Sequence, residues 1–455
     1  MTQEQLNRAF HAVFLFFLML LPFELPIAEG VHGLCAPLIG EAHPVLFISS
    51  LLSLVSLLLL LTTRASFAEK VLGNYLFLCL AYLGIGCFAL LVTTVCDGYI
   101  DLAVKQLAFG YLAPVIVCAY ILSLDRESQQ TAWFSLYLGW TIYLLISMFF
   151  LVYYWQVGLA QDADFSGSSF GRRLFLWRYL LVSDWNLYPQ FIGNANKTSN
   201  HLIVFLLLSV RLIGDEQLLL SRFKKMVFHL FWLLSVVTLV VLFSRAALLL
   251  LPVVVYASGV WRFINQKLSY SVGALLVSTS FIAYSSYADV INYLLFSKIS
   301  QSSDSDALGS MWSRFDQWAG IHEHFSERLH KLVFGMGTGS YGDIFHGQVN
   351  VGTHNMFIDT LMEGGVVNLL LLLVLVFFML LLSFDASRLK IVDKTTFATI
   401  VSLILLMNRE HSVSYLYVTS LGGFCFVMLF YLLSNSKGKS PTGAFASPRE
   451  PYVGI

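Results

Sequence analysis

Charged residues are scarce in this sequence. Asp, Glu, Lys and Arg make up 12% of the 455 residues, whereas 57% are hydrophobic. Soluble globular domains are about 25% charged, so the composition excludes an ordinary soluble protein and predicts an integral membrane protein. The formal net charge is zero, which argues against binding to nucleic acid through a global electrostatic field.

The sequence also lacks the residue patterns that hold metals or disulfide frameworks. Its six cysteines show no CxxC spacing, and most lie inside apolar runs, as small core residues do. The stretch HEHFSERLH is not an HExxH zinc motif, because Ser326 stands where the second histidine would be. We therefore predict no metal site and no cofactor.

Long apolar runs, in contrast, are abundant. A transmembrane helix needs about 20 mostly apolar residues. Windows of this kind recur at 9–23, 45–63, 71–94, 106–122, 133–155, 199–213, 226–243, 246–261, 270–287, 365–384, 396–407 and 413–433. The fold predicted is an all-α polytopic membrane protein of about 12 transmembrane helices. Two of the windows are short, so ten or eleven helices are also compatible with the sequence.

Lysine and arginine indicate how these helices are oriented. With the N-terminus in the cytoplasm, most of the 27 Lys and Arg fall in cytoplasmic segments. The predicted divisions are an N-terminal transmembrane bundle (1–155), a first outer loop (156–200), central transmembrane helices (201–287), a large outer loop (288–364), C-terminal transmembrane helices (365–433) and a disordered cytoplasmic tail (434–455). The spacing of Trp, Phe and His in the large loop predicts amphipathic helices.

One arginine interrupts the apolar run 226–261. A single helix over this run would be about 54 Å long, which is too long for one span. Arg245 is therefore predicted to lie at the outer end of a tight hairpin of two spans. A guanidinium at the bilayer centre costs about 2.5–3.5 kcal/mol. Arg245 either snorkels to the interface or is a fixed charge that binds an anion such as phosphate.

Three features of the large outer loop are further candidates. Arg314, in SRFDQW, is by itself a weak signal, because a loop arginine is usually solvated or ion-paired. The glycine-rich run 335–342, GMGTGSYG, is not a P-loop, since no Lys-Ser or Lys-Thr follows it. Its glycines are expected to let the chain turn or approach a ligand closely. His354 could accept a proton from a hydroxyl, or be merely interfacial.

Taken in order, the motifs resemble the bacterial O-antigen ligase and O-antigen polymerase superfamily. They are NANKTSNH, SRA within an apolar run, SRFDQW, GMGTGSYG and THNMFIDTLMEGG, and they cover about 193–370. The resemblance implies a GT-C-like, metal-independent glycosyltransferase of the bacterial inner membrane. It would act at the periplasmic face on glycans carried by undecaprenyl diphosphate, and the large outer loop would be periplasmic and catalytic.

The resemblance also implies roles for individual residues. Arg245 and Arg314 match the arginines that the family assigns to the diphosphate. His354 matches the catalytic histidine, which would deprotonate the acceptor hydroxyl for an inverting attack on the anomeric carbon. The further substrate-binding residues predicted are Arg172, Arg173, Arg178, Asn194, Asn196 and Asn355. No carboxylate pair lies at these positions, which argues against a two-carboxylate hydrolase.

The acceptor is left open by the sequence. A ligase would transfer the glycan to lipid A core, and a polymerase would transfer it to a second lipid-linked repeat. Polymerases of this superfamily tend to carry functional arginines in both outer loops, and the three arginines of the first outer loop fit that pattern. A flippase or transporter of the same lipid would favour charges at the bilayer midplane and repeated halves, neither of which is found. We predict ligation. Polymerisation is the first alternative and transport of the lipid-linked glycan is the second.

Overall fold

The computed structural model describes the helical segments that position the candidate site. It covers residues 2–23, 46–62, 69–96, 99–161, 195–214, 221–242, 329–346, 355–387 and 397–404, and isolated positions at 250, 254, 320–321, 325, 427–430 and 433. Within these residues every regular element is a helix and none is a strand. The predicted all-α class is confirmed for this part of the chain.

Eleven α-helices are named here in chain order. They are α1 (Gln3–Leu20), α2 (Leu46–Thr62), α3 (Glu69–Val95), α4 (Ile100–Lys105), α5 (Ala113–Ser123), α6 (Arg126–Gln161), α7 (Ala195–Gly214), α8 (Arg222–Leu242), α9 (Leu329–Phe334), α10 (Ser340–His346) and α11 (Met356–Ser387). A π-helical segment, Gln106–Leu112, joins α4 to α5, and a short 3₁₀ turn follows α1.

The described helices include five that are long and apolar enough to cross a membrane. They are Gln3–Phe23, Tyr75–Val95, Ile100–Ser123, Glu127–Phe149 and Met356–Ser383. Two shorter apolar helices, Ser50–Thr62 and Thr198–Ser209, fall in further predicted windows. A multi-pass membrane protein is thereby supported. The count of about 12 stays a prediction, because several predicted windows, 246–261 and 270–287 among them, lie largely outside the described residues.

Local capping fixes where several helices begin. Thr2 caps α1 in a capping box with Gln5, in which each side chain accepts a backbone N–H of the other residue. Asp125 caps α6, since its Oδ1 accepts the Ser128 N–H at 2.8 Å. That hydrogen bond stabilises the carboxylate and lowers the pKa of Asp125. Pro114, which has no N–H to donate, lies in the first turn of α5, directly after the π-helical segment.

The helices pack into one bundle with an aromatic interior. α1 lies between α2 and α6, α6 also packs on α8, and α8 packs on α7, while α3 lies along α11. Trp140 and Tyr137 of α6 are fully buried against Phe205 of α7, and the Tyr137 hydroxyl donates to the Phe205 carbonyl at 2.9 Å. Large apolar side chains such as Leu61 remain exposed on helix faces, as lipid-facing surfaces require.

α11 begins earlier than the span predicted from the sequence. The apolar window starts at 365, but the helix starts at Met356 and passes through a kink at Gly365. The polar residues Asp359 and Glu363 lower the mean hydropathy of the first part, so a hydropathy window misses it. The described part of the candidate site lies on residues 356–364, the N-terminal segment of α11 before the kink.

Candidate functional site

The glycine-rich stretch forms a tight turn between α9 and α10. Gly335, Gly337 and Gly339 have positive φ angles of 86°, 92° and 78°, a region that favours glycine because it has no Cβ. The predicted turn is confirmed. We call residues 335–339 the glycine turn.

Every backbone N–H from Gly335 to Ser340 has an acceptor. In order these acceptors are the carbonyls of Lys331, Met362 and Glu363, the Thr93 hydroxyl, the Glu363 carboxylate and the Gly337 carbonyl. The distances lie between 2.7 Å for Gly335 and 3.3 Å for Gly339 and Ser340. Because these amides are already paired, the glycine turn does not offer them to a phosphate. The glycine turn instead approaches α11 and α3 closely.

The kink in α11 supplies two of those acceptors. Gly365 has φ 66° and ψ −169°, a conformation reached almost only by glycine. In a continuous helix the carbonyls of residues 362 and 363 would accept N–H groups four residues later. Here they accept the N–H of Met336 at 2.8 Å and of Gly337 at 3.0 Å. The kink and the glycine turn therefore hold each other in place.

Gly365→Ala is expected to destabilise the protein by about 3 kcal/mol or more, since the backbone conformation alone costs about 1–3 kcal/mol for a non-glycine residue. An added Cβ would also lie 2.3 Å from the Val333 carbonyl oxygen and 2.5 Å from the Gly335 nitrogen. The control is Gly84→Ala in α3, where an added Cβ meets no atom within 4 Å and alanine favours the helix. Denaturant unfolding of the detergent-solubilised proteins measures the free energy of unfolding of each variant. Equal stability of the two variants would contradict the role of the kink.

α3 and the residues after it hold the glycine turn from the other side. Thr93 Oγ1 accepts the Thr338 N–H at 2.8 Å and lies 3.2 Å from Thr338 Oγ1, and both side chains are buried. At the surface the Tyr99 hydroxyl donates to Asp343 Oδ1 at 2.9 Å. This hydrogen bond, which needs the protonated phenol, raises the pKa of Tyr99. Polar contacts thus join α3 to the glycine turn and Tyr99 to α10.

Two buried carboxyl groups lie on the N-terminal segment of α11. Asp359 and Glu363 are one helical turn apart, and only 3% and 8% of their surfaces are exposed. Tyr341 of α10 is also buried beside them, and burial together with the Asp359 charge raises its pKa to about 12. Buried ionisable groups are costly unless they are hydrogen-bonded or paired. Their presence in an apolar helix marks this end of α11 as a candidate functional region.

Asn355 is the predicted site residue that the structure describes in most detail. It is buried and precedes α11, and its Oδ1 accepts the N–H groups of Phe357 at 3.0 Å and Ile358 at 3.3 Å. This is a helix N-cap. The sequence interpretation of Asn355 as a substrate-binding residue did not include this structural role.

Most of the other predicted site residues lie outside the described residues. The residues outside are Arg172, Arg173, Arg178, Asn194, Arg245, Arg314 and His354. Asn196 lies in the first turn of α7. Directly after it Ser199 and Asn200 are buried, so the NANKTSNH motif starts a helix that carries polar side chains into the bundle.

The structure adds residues that the sequence analysis did not single out. Glu363 of α11 accepts the Gly339 N–H and Thr93 of α3 accepts the Thr338 N–H. Glu363 also has a hydrogen bond with Gln106 of the π-helical segment. The signal that could have found Glu363 is a carboxylate four residues after Asp359 within an otherwise apolar helix. Within the described ranges no three His, Cys, Asp or Glu side chains come together as metal ligands would.

A comparison with protein families finds a match within the chain. Residues 230–373 match the family model described as O-antigen ligase. This range contains Arg245, Arg314, His354 and the glycine turn, and the match confirms the resemblance to the O-antigen ligase superfamily. A search of curated proteins finds no match.

Proposed function

We propose that this chain is an inner-membrane glycosyltransferase, because residues 230–373 match the O-antigen ligase family. It would transfer an undecaprenyl-diphosphate-linked glycan en bloc at the periplasmic face, as in ligation of O-antigen to lipid A core. The observation that carries the proposal is the position of the family match. It falls on the three residues to which the motifs assign chemistry, in a chain that also has apolar membrane-spanning helices.

In the proposed reaction the acceptor hydroxyl attacks the anomeric carbon of the donor sugar. His354 takes the hydroxyl proton as the new C–O bond forms, and the bond from the anomeric carbon to the diphosphate oxygen breaks. The electron pair of that bond leaves with undecaprenyl diphosphate, and the anomeric configuration inverts. Arg245 and Arg314 would bind the diphosphate and stabilise the charge that grows on it. Because two guanidiniums do this, the reaction is proposed to need no metal ion.

The remaining candidates would contact the glycan or the lipid. Arg172, Arg173 and Arg178 lie among aromatic residues in the first outer loop, where charge-assisted hydrogen bonds to sugar or phosphate oxygens are available. Asn194 and Asn196 precede the buried polar part of α7. Polymerisation is the second candidate function, because this arginine cluster would give both outer loops a functional charge.

The proposal is tested by giving the purified protein the lipid-linked glycan as donor and two possible acceptors, lipid A core and a second lipid-linked glycan. In nanodiscs with the lipid-linked glycan, we expect the glycan to become bonded to lipid A core, seen as a mass increase of the acceptor. Transfer only to a second lipid-linked glycan would replace ligation by polymerisation. If neither acceptor is glycosylated and the donor crosses the bilayer of sealed vesicles instead, the chain is a transporter and the glycosyltransferase proposal is wrong.

A further inference from the structure

Glu363 is a buried ionisable residue for which the proposed reaction has no use. It lies on α11 two residues before the kink, and only 8% of its surface is exposed. A carboxyl group buried in an apolar helix costs free energy unless hydrogen bonds compensate for it. The identity of its partners is therefore informative about why it is there.

Both the side chain and the main chain of Glu363 bind the glycine turn. Its Oε1 accepts the Gly339 N–H at 3.3 Å, and its carbonyl oxygen accepts the Gly337 N–H at 3.0 Å. The carboxylate also has a side-chain hydrogen bond with Gln106. One residue of α11 thus connects the glycine turn to a helix of the N-terminal bundle.

Gln106 is the first residue of the π-helical segment and is itself buried, with 5% of its surface exposed. Wider π turns are rare and are frequently found at functional sites. The segment is held against α3, since the Tyr82 hydroxyl donates to the Gly110 carbonyl at 2.9 Å. Gln106, like Thr93, lies outside the residues that match the family, so these contacts join the family-matched residues to α3 and the π-helical segment.

We propose that Glu363 is a positioning residue, which fixes the glycine turn and the N-terminal segment of α11 against the π-helical segment. This rests on the proposed function, in which His354 is the base. His354 is bonded directly to Asn355, and Asn355 caps the first turn of α11. A displacement of the N-terminal segment of α11 therefore also displaces Asn355, to which His354 is joined by a peptide bond. A displacement of about 1 Å can slow a reaction by about 100-fold.

Three variants separate positioning from other roles. Glu363→Ala removes the acceptor for Gly339 and the partner of Gln106. Glu363→Gln keeps an oxygen that can accept the Gly339 N–H. Leu370→Ala, at a position of α11 that is 54% exposed, is the control for truncation of a side chain on this helix.

The first measurement does not depend on activity. Hydrogen–deuterium exchange of the full-length, detergent-solubilised protein reports on residues 336–340. We expect exchange there to be about 3- to 10-fold faster in Glu363→Ala, because a hydrogen bond that holds the turn is lost. In Glu363→Gln and Leu370→Ala it should match the wild type. Unchanged exchange in Glu363→Ala would overturn the proposal.

The second measurement is the kinetics of glycan transfer. Glu363→Ala should lower kcat about 10- to 100-fold and leave the KM for the donor nearly unchanged, and Glu363→Gln should restore most of kcat. Equal losses in the alanine and glutamine variants, or a change confined to KM, would overturn positioning. If Glu363→Ala does not fold, Gln106→Ala replaces it. This variant removes the hydrogen bond between Glu363 and the π-helical segment but keeps the acceptor for Gly339, so a lower kcat with an unchanged donor KM is expected, and an unchanged kcat would overturn the proposal. A wild type that transfers no glycan would refute the proposed function, whereas the exchange result would still test the contacts of Glu363.

Discussion

His354→Ala is expected to slow the chemical step by about 100- to 10,000-fold, the usual loss when a general base is removed. The acceptor hydroxyl is a weak nucleophile until its proton is removed, and His354 is the residue that the proposed reaction assigns as the base. Binding of the lipid-linked donor should stay largely intact, because the proposed mechanism assigns the diphosphate to Arg245 and Arg314 rather than to His354. Single-turnover transfer, with donor binding determined separately, measures both quantities.

The pH dependence provides a second test of His354. A base must be neutral to accept a proton, so the rate should fall as the pH drops below the pKa of the imidazole, which is about 6.5 when unperturbed. In the proposed site the guanidiniums of Arg245 and Arg314 would lower that pKa and keep the base neutral. His354→Gln should lose this titration together with its activity. A folded His354→Ala protein within a few-fold of the wild-type rate would remove His354 from the mechanism.

Arg245→Ala is the second substitution with a large expected effect, a loss of about 100- to 1,000-fold in kcat by analogy with the removal of one group that stabilises transition-state charge. Arg245→Lys should also lose most activity, although the positive charge is kept, because an ammonium group cannot bind two phosphate oxygens in the planar, bidentate geometry of a guanidinium. Arg314→Ala is expected to behave in the same way. Transfer from a purified lipid-linked donor measures these losses.

The matched control is Arg222→Ala. Arg222 is an exposed arginine at the start of α8, on the side of the membrane that the charge distribution predicts to be cytoplasmic. Its replacement should leave transfer unchanged. Near-normal turnover in both Arg245→Ala and Arg314→Ala would refute the diphosphate site, and a similar loss in Arg222→Ala would show that the assay responds to any lost arginine.

The sequence predicted the features that depend on local composition. Apolar windows foretold helices such as α3, because a helix in lipid must satisfy its own backbone groups. The run GMGTGSYG predicted a turn, and its three glycines do adopt positive φ angles. The order of degenerate motifs predicted the superfamily, which the match over residues 230–373 confirms.

Features that depend on long-range contacts could not be predicted. The Thr93 hydroxyl meets Thr338 across 245 positions of the chain, and nothing in the residues around Thr93 indicates its partner. Glu363 was passed over because its acceptor role exists only once α11 is kinked and the glycine turn lies against it. The start of α11 was missed because two carboxyl groups, at Asp359 and Glu363, lower the hydropathy of its first nine residues.

The most direct test of the central claim is to follow one turnover of the purified protein with a lipid-linked glycan and lipid A core, in the presence of EDTA. The proposed mechanism predicts one undecaprenyl diphosphate released for each new glycosidic bond, with the anomeric configuration of the transferred sugar inverted. The rate should not depend on the chelator. Retention of configuration, or bond formation without release of the lipid diphosphate, would contradict it.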